Sequence, residues 1–210
     1  MRALELNPNY AVSHHWYSHY LTAMGRTEES LLASKRCLEL DPLDLVINIH
    51  MAWHHHYARE YEEAVDQCWR TNELHPNSFW PSYFFALAYQ QQGKIAEAAV
   101  EFQKAIQMSG NVTFTTAGLG HLYARSGKSA EARATFDELH ARSRETYLPA
   151  YDLALVCVGL GWTDQAFEWL DRAHEERSGW LTYLKVEPRL DALRSDSRFD
   201  DLLRRVRLIR

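Results

Sequence analysis

Apolar residues recur along this chain with a period of 34 residues. The phrases at residues 3–8, 37–42 and 71–76 read ALELNP, CLELDP and TNELHP, so their prolines lie 34 positions apart. Extended without insertion or deletion, this period divides residues 11–180 into five units: 11–44, 45–78, 79–112, 113–146 and 147–180. The seventh place of each unit is apolar throughout: Tyr17, Met51, Phe85, Leu119 and Leu153. Each unit is predicted to form two helices of about 13 residues.

Two further places in the unit hold only small residues. They are the eighth place (Ser18, Ala52, Ala86, Gly120, Ala154) and the twentieth place (Ser30, Ala64, Ala98, Ala132, Ala166). Small side chains allow two helices to approach closely. The fifteenth place is glycine in four units and Arg59 in the second, and glycine there ends a helix in the left-handed conformation. Proline, or Gly110, ends the second helix, whereas Arg144 predicts a softer boundary.

The two ends of the chain fall outside these five units. Residues 1–10 are interpreted as the end of a second helix from a truncated preceding repeat, which predicts that the chain is the C-terminal part of a longer protein. Residues 181–210 are interpreted as a capping segment, with a short helix at 181–186 and a turn at 188–194. Asp196 is a suitable N-cap for a final helix at 197–206, whose apolar residues share one face. This face is predicted to cover the last unit.

The spacing and residue types resemble the tetratricopeptide repeat family over residues 11–180. The resemblance implies an all-α fold, a right-handed superhelix of antiparallel helix pairs with a concave groove. The segments NPNYAVSHHWYSHYLTAMGR and LDRAHEERSGWLTYLKVEPRLDALRSDSRFDDLLRRV also resemble the C-terminal arrays of large bacterial regulators. Such regulators join the array to a Ser/Thr kinase, a winged-helix DNA-binding domain or a cyclase-like domain. The resemblance therefore implies a regulatory, partner-binding segment.

Composition removes several classes of function. Lys and Arg total 23 against 28 Asp and Glu, and the net charge of −5 argues against nucleic-acid binding. No apolar run has the length of a membrane span, so no membrane insertion is expected. Cys37, Cys68 and Cys157 fall at packing places, which predicts buried thiols. Ser126-Gly127-Lys128-Ser129 resembles the end of a phosphate loop but lacks the earlier glycine, so no nucleotide or other cofactor is expected.

Histidine is the most conspicuous candidate for chemistry, because seven of the eleven lie between residues 14 and 56. His15/His19 and His50/His54 are pairs at four-residue spacing on neighbouring helices, within reach of one metal ion. No cysteine or carboxylate completes a catalytic zinc set. The cluster is therefore interpreted as structural or partner-facing, with no metal expected in the protein's function.

The resemblance further implies that places 2, 5, 9, 12 and 13 of each unit line the concave groove. Of these 25 residues only Arg125 is charged, and aromatic residues on a half-exposed surface favour protein recognition. The absence of a Lys and Asn set argues against binding of a chaperone's terminal carboxylate. A peptide or helix fits better. The candidate binding residues are His15, His19, Ile49, Trp53, His56, Tyr57, Trp80, Tyr83, Gln90, His121, Arg125 and Tyr151.

These observations predict a non-catalytic protein-interaction scaffold that binds a protein or peptide. Self-association, including a homodimer, is the alternative, and a His-metal-dependent enzyme is a remote one. The groove could also be filled internally by the C-terminal segment, by a tight superhelix or by a second copy of the chain. A cytoplasmic location is expected, with the periplasm open if the full-length protein has an upstream membrane helix.

Overall fold

The computed structural model describes residues 2–209, and regular structure within them is entirely helical. The α-helices are α1 (Arg2–Leu6), α2 (Ala11–Ala23), α3 (Thr27–Leu40), α4 (Leu45–Tyr57), α5 (Tyr61–Leu74), α6 (Trp80–Gln91), α7 (Ile95–Ser109), α8 (Thr113–Arg125), α9 (Ser129–Glu145), α10 (Ala150–Leu160), α11 (Thr163–Glu175) and α12 (Ser197–Arg205). Two 3₁₀ helices, Gly179–Tyr183 and Pro188–Leu193, lie between α11 and α12. Met1 and Arg210, at the ends of the predicted terminal segments, lie outside the described residues.

The helix ends follow the turn residues that the sequence repeats. Gly25, Gly93, Gly127 and Gly161 all have positive φ after the first helix of a pair. Arg59 adopts the same conformation, with φ of 64°, although it carries a side chain. Gly127 is therefore a turn glycine, and its neighbours form no phosphate loop. α9 continues to Glu145 through Arg144, as the missing proline predicts.

Successive helix pairs stack into a right-handed superhelix, and the small residues lie where helices approach most closely. Ala52, Ala86 and Ala154 are almost completely buried. An added Cβ at Gly120 would lie 2.8 Å from the Thr135 side chain, which shows why this place excludes larger residues. Two apolar clusters form the core, one around α4 to α8 and one around α9 to α12.

The C-terminal segment differs from its prediction in the first part and agrees in the last. The helix expected at 181–186 is a 3₁₀ helix at Gly179–Tyr183, and the turn expected at 188–194 is a second 3₁₀ helix. Asp196 accepts a hydrogen bond from the backbone N–H of Arg198, and α12 buries Phe199, Leu202 and Leu203. Pro188 and the lack of helical periodicity explain why residues 179–193 form two short turns rather than one helix.

Across residues 2–209, the helices are all too short or too polar to span a lipid bilayer.

Candidate binding groove and histidine cluster

The concave side of the superhelix is occupied by residues 179–193, here named the groove segment. Tyr183 lies at its centre, 2.7 Å from Nδ1 of His19 through its hydroxyl. The Tyr183 ring centroid is 4.6 Å from that of Trp53, and the ring stacks on Tyr57 at 5.2 Å. Burial raises the pKa of Tyr183 to about 12, so its hydroxyl stays protonated at neutral pH. One aromatic side chain thus joins α2 and α4 to the groove segment.

Trp180 provides the second aromatic contact of the groove segment. Its ring lies 5.7 Å from Trp53 and 5.8 Å from Phe114, and it stacks near Tyr151 at 6.3 Å. These partners belong to three different helix pairs. Trp180 therefore bridges the concave faces of α4, α8 and α10.

A buried ion pair follows in the second half of the groove segment. Arg189 donates from Nε and Nη2 to the two carboxylate oxygens of Glu187, each at 2.8 Å. The side chains of Glu187 and Arg189 are 1% and 2% exposed, respectively, so they are as buried as the apolar core. Burial alone would raise the pKa of Glu187, but the charge and hydrogen bonds of Arg189 hold it at about 2. The pair therefore stays ionised, and Nη1 of Arg189 reaches 3.5 Å from the Tyr83 hydroxyl.

Polar contacts at the rim fix the position of the groove segment. Asp191 pairs with Arg59 at 2.8 Å and with Arg194 at 2.7 Å. Lys185 donates to the backbone oxygen of Met24 at 3.0 Å. The Arg59 that replaces a turn glycine thus binds the groove segment, which accounts for its place in the repeat.

The structure places the predicted binding residues beneath this segment or within the core. Nine are buried: His15, His19, Ile49, His56, Tyr57, Tyr83, Gln90, His121 and Tyr151. Of the remaining three, Trp53 and Trp80 are half-buried and Arg125 is exposed. In this structure the C-terminal segment fills the groove, which is one of the alternatives that the sequence analysis did not decide between. His56, expected on the groove surface, is instead enclosed between the rings of Tyr57 and Tyr61, and neither ring nitrogen has a partner within residues 2–209.

Sequence reasoning missed the residues that fill the groove: Trp180, Tyr183, Glu187 and Arg189. They follow the last repeat unit, so no repeated place assigns them a direction. The one available signal was the density of aromatic and apolar residues in WLTYLKVEP, which is high for a surface turn. The prediction that the groove carries a single charged residue is incomplete, because Glu187 and Arg189 enter it from outside the units.

The histidines of α2 and α4 form a compact cluster beside Tyr183. Nε2 of His19 lies 2.8 Å from Nδ1 of His50, which in turn lies 3.2 Å from Nε2 of His15. Burial, followed by the neighbouring histidines, lowers the pKa of His19 to about 4 and that of His50 to about 2. The rings are therefore uncharged at neutral pH. His54 is also buried, and its Nδ1 pairs with the Ser34 hydroxyl at 2.5 Å.

Gln90 and His121 form a separate polar contact near the second half of the groove segment. Gln90 Nε2 lies 2.6 Å from His121 Nδ1. Arg125 and Arg189 line the shallow cavity next to this pair. Burial lowers the pKa of His121 to about 3, and Arg189 adds to the effect. Both groups of this contact are therefore uncharged at neutral pH.

The three cysteines are free and buried, as predicted. Burial raises the pKa of Cys37 to about 11 and that of Cys157 to about 12. Cys68 lies in the second apolar cluster, and burial raises its pKa as well. These thiols are packing residues, because a reactive cysteine needs a lowered pKa.

An exposed aromatic face lies at the opposite end of the solenoid. On α2, Trp16 and Tyr20 occupy the sixth and tenth places of the first unit and are 67% and 54% exposed. The same places in the third unit hold Phe84 and Ala88, which are 2% and 0% exposed. Together with Leu4, Tyr10 and Val12 they line an open apolar cavity. We call this surface the α2 face.

Comparison with known proteins agrees with the helix-pair architecture. Residues 82–111 and residues 114–138 each match a model of the tetratricopeptide repeat. No curated protein sequence matches the chain significantly.

Several solved structures have similar folds. A tetratricopeptide repeat protein from Parabacteroides merdae matches with a TM-score of 0.73 and 16% identity, over 98% of this chain and 74% of that one. A fragment of MamA from Desulfovibrio magneticus has a TM-score of 0.57 and 15% identity, over 69% of this chain and 82% of that one. PilF from Pseudomonas aeruginosa has a TM-score of 0.57 and 18% identity, over 87% and 83%. At these identities the likeness shows the fold alone. Residues 82–111 and 114–138 thus match tetratricopeptide repeat models, and the chain has the helix-pair solenoid fold of tetratricopeptide repeat proteins.

Proposed function

We propose that this chain is the regulatory region of a larger bacterial signalling or transcription-regulating protein, and that its concave groove recognises a segment carrying aromatic side chains. The coarser role of protein-interaction scaffold follows from the repeat family. The observation that carries the proposal is the groove segment itself, because it supplies Trp180 and Tyr183 to Trp53, Tyr57 and Tyr151. In this proposal the activity is binding, without catalysis.

The two halves of the contact differ in how readily a partner could replace them. Leu181, Leu184, Leu190 and Leu193 are at most 3% exposed and belong to the apolar cluster shared with α10 to α12. Trp180 and Tyr183 are only half-buried. A partner with aromatic side chains would therefore displace these two rings while the leucines stay in the core. Trp and Tyr suit such a site, because they combine a large apolar surface with one polar atom.

A peptide supplied in trans tests this recognition. The labelled peptide SGWLTYLK copies residues 178–185, and the full chain carrying Trp180→Ala and Tyr183→Ala offers a vacated site. We expect fluorescence anisotropy to show binding to this variant, with at least about tenfold weaker binding to the wild type, whose own rings compete. A peptide with both aromatic residues changed to alanine is the matched control. If the variant is folded and does not bind the native peptide, the proposal is refuted. If the double variant does not fold, the single variant Trp180→Ala is used in its place.

The α2 face supports the larger-protein part of the proposal. We propose that residues 2–10 end a preceding unit, that residues 11–180 form five units, and that residues 181–209 cap them. In units two, three and five, the sixth place contacts the first helix of the preceding unit, as His50 does with His19, Phe84 with Trp53 and Asp152 with Thr113. The α2 face presents Trp16 at this place and Tyr20 at the tenth, and α1 already lies where the preceding second helix would end. The occupant is therefore the first helix of another tetratricopeptide unit.

Fusing places 1–26 of a consensus tetratricopeptide unit directly before Ala3, which occupies place 27 in this register, tests this arrangement. We expect the thermal unfolding midpoint to rise by several degrees, because the added helix buries Trp16 and Tyr20. Trp16→Lys should remove the gain in the fusion while leaving the unfused chain nearly unchanged. A fusion with an unaltered midpoint would contradict the proposal. A concentration-dependent dimer of the unfused chain that Trp16→Lys dissolves would favour a second copy as the occupant.

A further inference from the structure

Three imidazole rings converge at the junction of α2 and α4. One ring nitrogen from each of His15, His19 and His50 lies within 4.8 Å of the other two. The closest approaches are those of His50 Nδ1, at 2.8 Å from His19 Nε2 and 3.2 Å from His15 Nε2. His15 and His19 are buried and His50 is half-buried, so the cluster is shielded but close to the surface.

Hydrogen bonding serves these three nitrogens only in part, because two contacts converge on one atom, Nδ1 of His50. A neutral imidazole nitrogen carries either one hydrogen or one lone pair in the ring plane. Nδ1 of His50 therefore has one hydrogen or one lone pair for two neighbours, and it serves both His15 and His19 only by sharing it in a weaker three-centre contact. One cation that accepts a lone pair from each ring would satisfy all three.

We propose that His15, His19 and His50 bind a divalent transition-metal ion of the Zn²⁺ class. Imidazole is a preferred ligand of such ions. Two nitrogens bound to tetrahedral Zn²⁺ at about 2.05 Å lie about 3.3 Å apart. The His15–His50 separation of 3.2 Å meets this distance, and the His19–His50 pair reaches it by opening about 0.5 Å. Three nitrogen ligands leave a fourth position for water.

The surroundings of the cluster support this assignment. A histidine bound to metal through Nε2 donates its Nδ1 hydrogen to a neighbouring oxygen, which fixes its orientation. His19 has the Tyr183 hydroxyl 2.7 Å from Nδ1. His54, 2% exposed, has its ring centre 4.8 Å from that of His19, and its Nε2 makes no hydrogen bond within the described chain. Metal binding at His19 would thus also hold the groove segment through Tyr183.

Metal content of the full chain tests the site. The protein is stripped with a chelator, titrated with Zn²⁺ by calorimetry and, separately, with Co²⁺ as a spectroscopic probe. We expect one ion per chain, a tetrahedral Co²⁺ spectrum, and at least about a tenfold loss of affinity in His50→Gln and in His15→Gln. His14→Gln is the matched control, because His14 adjoins His15 but pairs with the Pro8 backbone oxygen. It should bind as the wild type does.

The variant Tyr183→Phe distinguishes an oriented metal site from non-specific binding of metal by histidines. It removes the hydroxyl beside His19 and leaves all three ligands, so we expect Zn²⁺ affinity to fall by about tenfold. Circular dichroism verifies that each variant is folded. If His50→Gln does not fold, His15→Gln alone tests the loss of a ligand. The proposal is overturned if the wild type retains no Zn²⁺, if the Co²⁺ spectrum is that of the hydrated ion, or if folded His50→Gln and His15→Gln bind as tightly as the wild type.

Discussion

The two ends of the solenoid bury the same kind of surface to different extents. At the C-terminal end, α12 lays Phe199, Leu202 and Leu203 against the last helix pair, all at most 6% exposed. At the N-terminal end, Trp16 and Tyr20 remain 67% and 54% exposed. Residues of similar apolar character therefore belong to the core at one end and to the surface at the other.

This difference shows that a repeat place does not fix burial by itself. Trp16 and Phe84 occupy the same place in their units, yet Phe84 is only 2% exposed, because α4 and α8 lie on either side of α6. In a solenoid, each unit gains stability from its neighbours. Under the proposal above, the exposed α2 face is thus a repeat interface for a further helix, whereas α12 already covers the last helix pair at the other end.

The largest effect is expected from damaging the capped end. Phe199→Ala should lower the free energy of unfolding by about 3–5 kcal/mol, because it leaves a cavity where a buried ring was. Urea unfolding followed by circular dichroism measures this loss. Arg204→Ala on the solvent side of α12 is the control and should change stability by less than about 0.5 kcal/mol. A Phe199→Ala loss no larger than this control's would show that α12 is not part of the cooperative core.

A somewhat smaller effect is expected in the groove segment. Glu187→Gln should cost about 3 kcal/mol, because Arg189 keeps its charge in a buried site without its counter-ion. The double variant Glu187→Gln with Arg189→Met should recover much of this loss, since no uncompensated charge remains. Chemical denaturation of the three proteins compares them. Equal losses in the single and double variants would mean that the ion pair itself, rather than the unpaired charge, sets the cost.

Acid pH should weaken the region covered by the groove segment. Burial lowers the pKa of His56 to about 4 and that of His121 to about 3, below the ordinary 6.5. The unfolded chain therefore binds more protons below pH 6.5, so this stabilisation is present above that pH and is lost as the pH falls. The loss at pH 5 is about 2 kcal/mol for each histidine.

Asp152 contributes to the pH dependence with the opposite sign, because burial raises its pKa to about 6. Between pH 7 and pH 5 it therefore offsets about 1 kcal/mol of the stability lost through the histidines. The net loss from these three groups is about 2–3 kcal/mol. Unfolding free energies at the two pH values measure the total loss, to which His19 and His50 add with the same sign because burial lowers their pKa values too. His121→Gln should reduce the difference. A protein equally stable at pH 5 and pH 7 would contradict the burial of these neutral rings.

The smallest effect is expected at the α2 face. Trp16→Ala should change the free energy of unfolding by less than about 0.5 kcal/mol, because the ring is mostly in water. Phe84→Ala, at the same repeat place, should cost about 3–5 kcal/mol. Thermal and urea unfolding of the two variants give the contrast directly. A large loss in Trp16→Ala would show that the ring is buried in solution, for instance by a second copy of the chain.

Most of the fold could be predicted from the sequence, because its determinants are local and repeated. Four of the five pairs have a left-handed glycine after the first helix, and Asp196 caps α12 as its position implied. The groove segment could not be predicted in the same way. It lacks a repeated register, and its 3₁₀ turns depend on contacts with helices more than 100 residues away in the chain, such as Arg189 with Tyr83.

The sequence also indicated a histidine cluster on α2 and α4, but it did not predict how the rings are arranged. Four-residue spacing places His15 and His19 on one helix face, but only the packing of α4 against α2 sets His50 between them. The sequence by itself thus determined the helices, their order, their turns and the resemblance to tetratricopeptide repeats. Tertiary structure alone decided what fills the groove, which aromatic residues stay exposed and which histidines meet, because these depend on contacts between residues far apart in the chain.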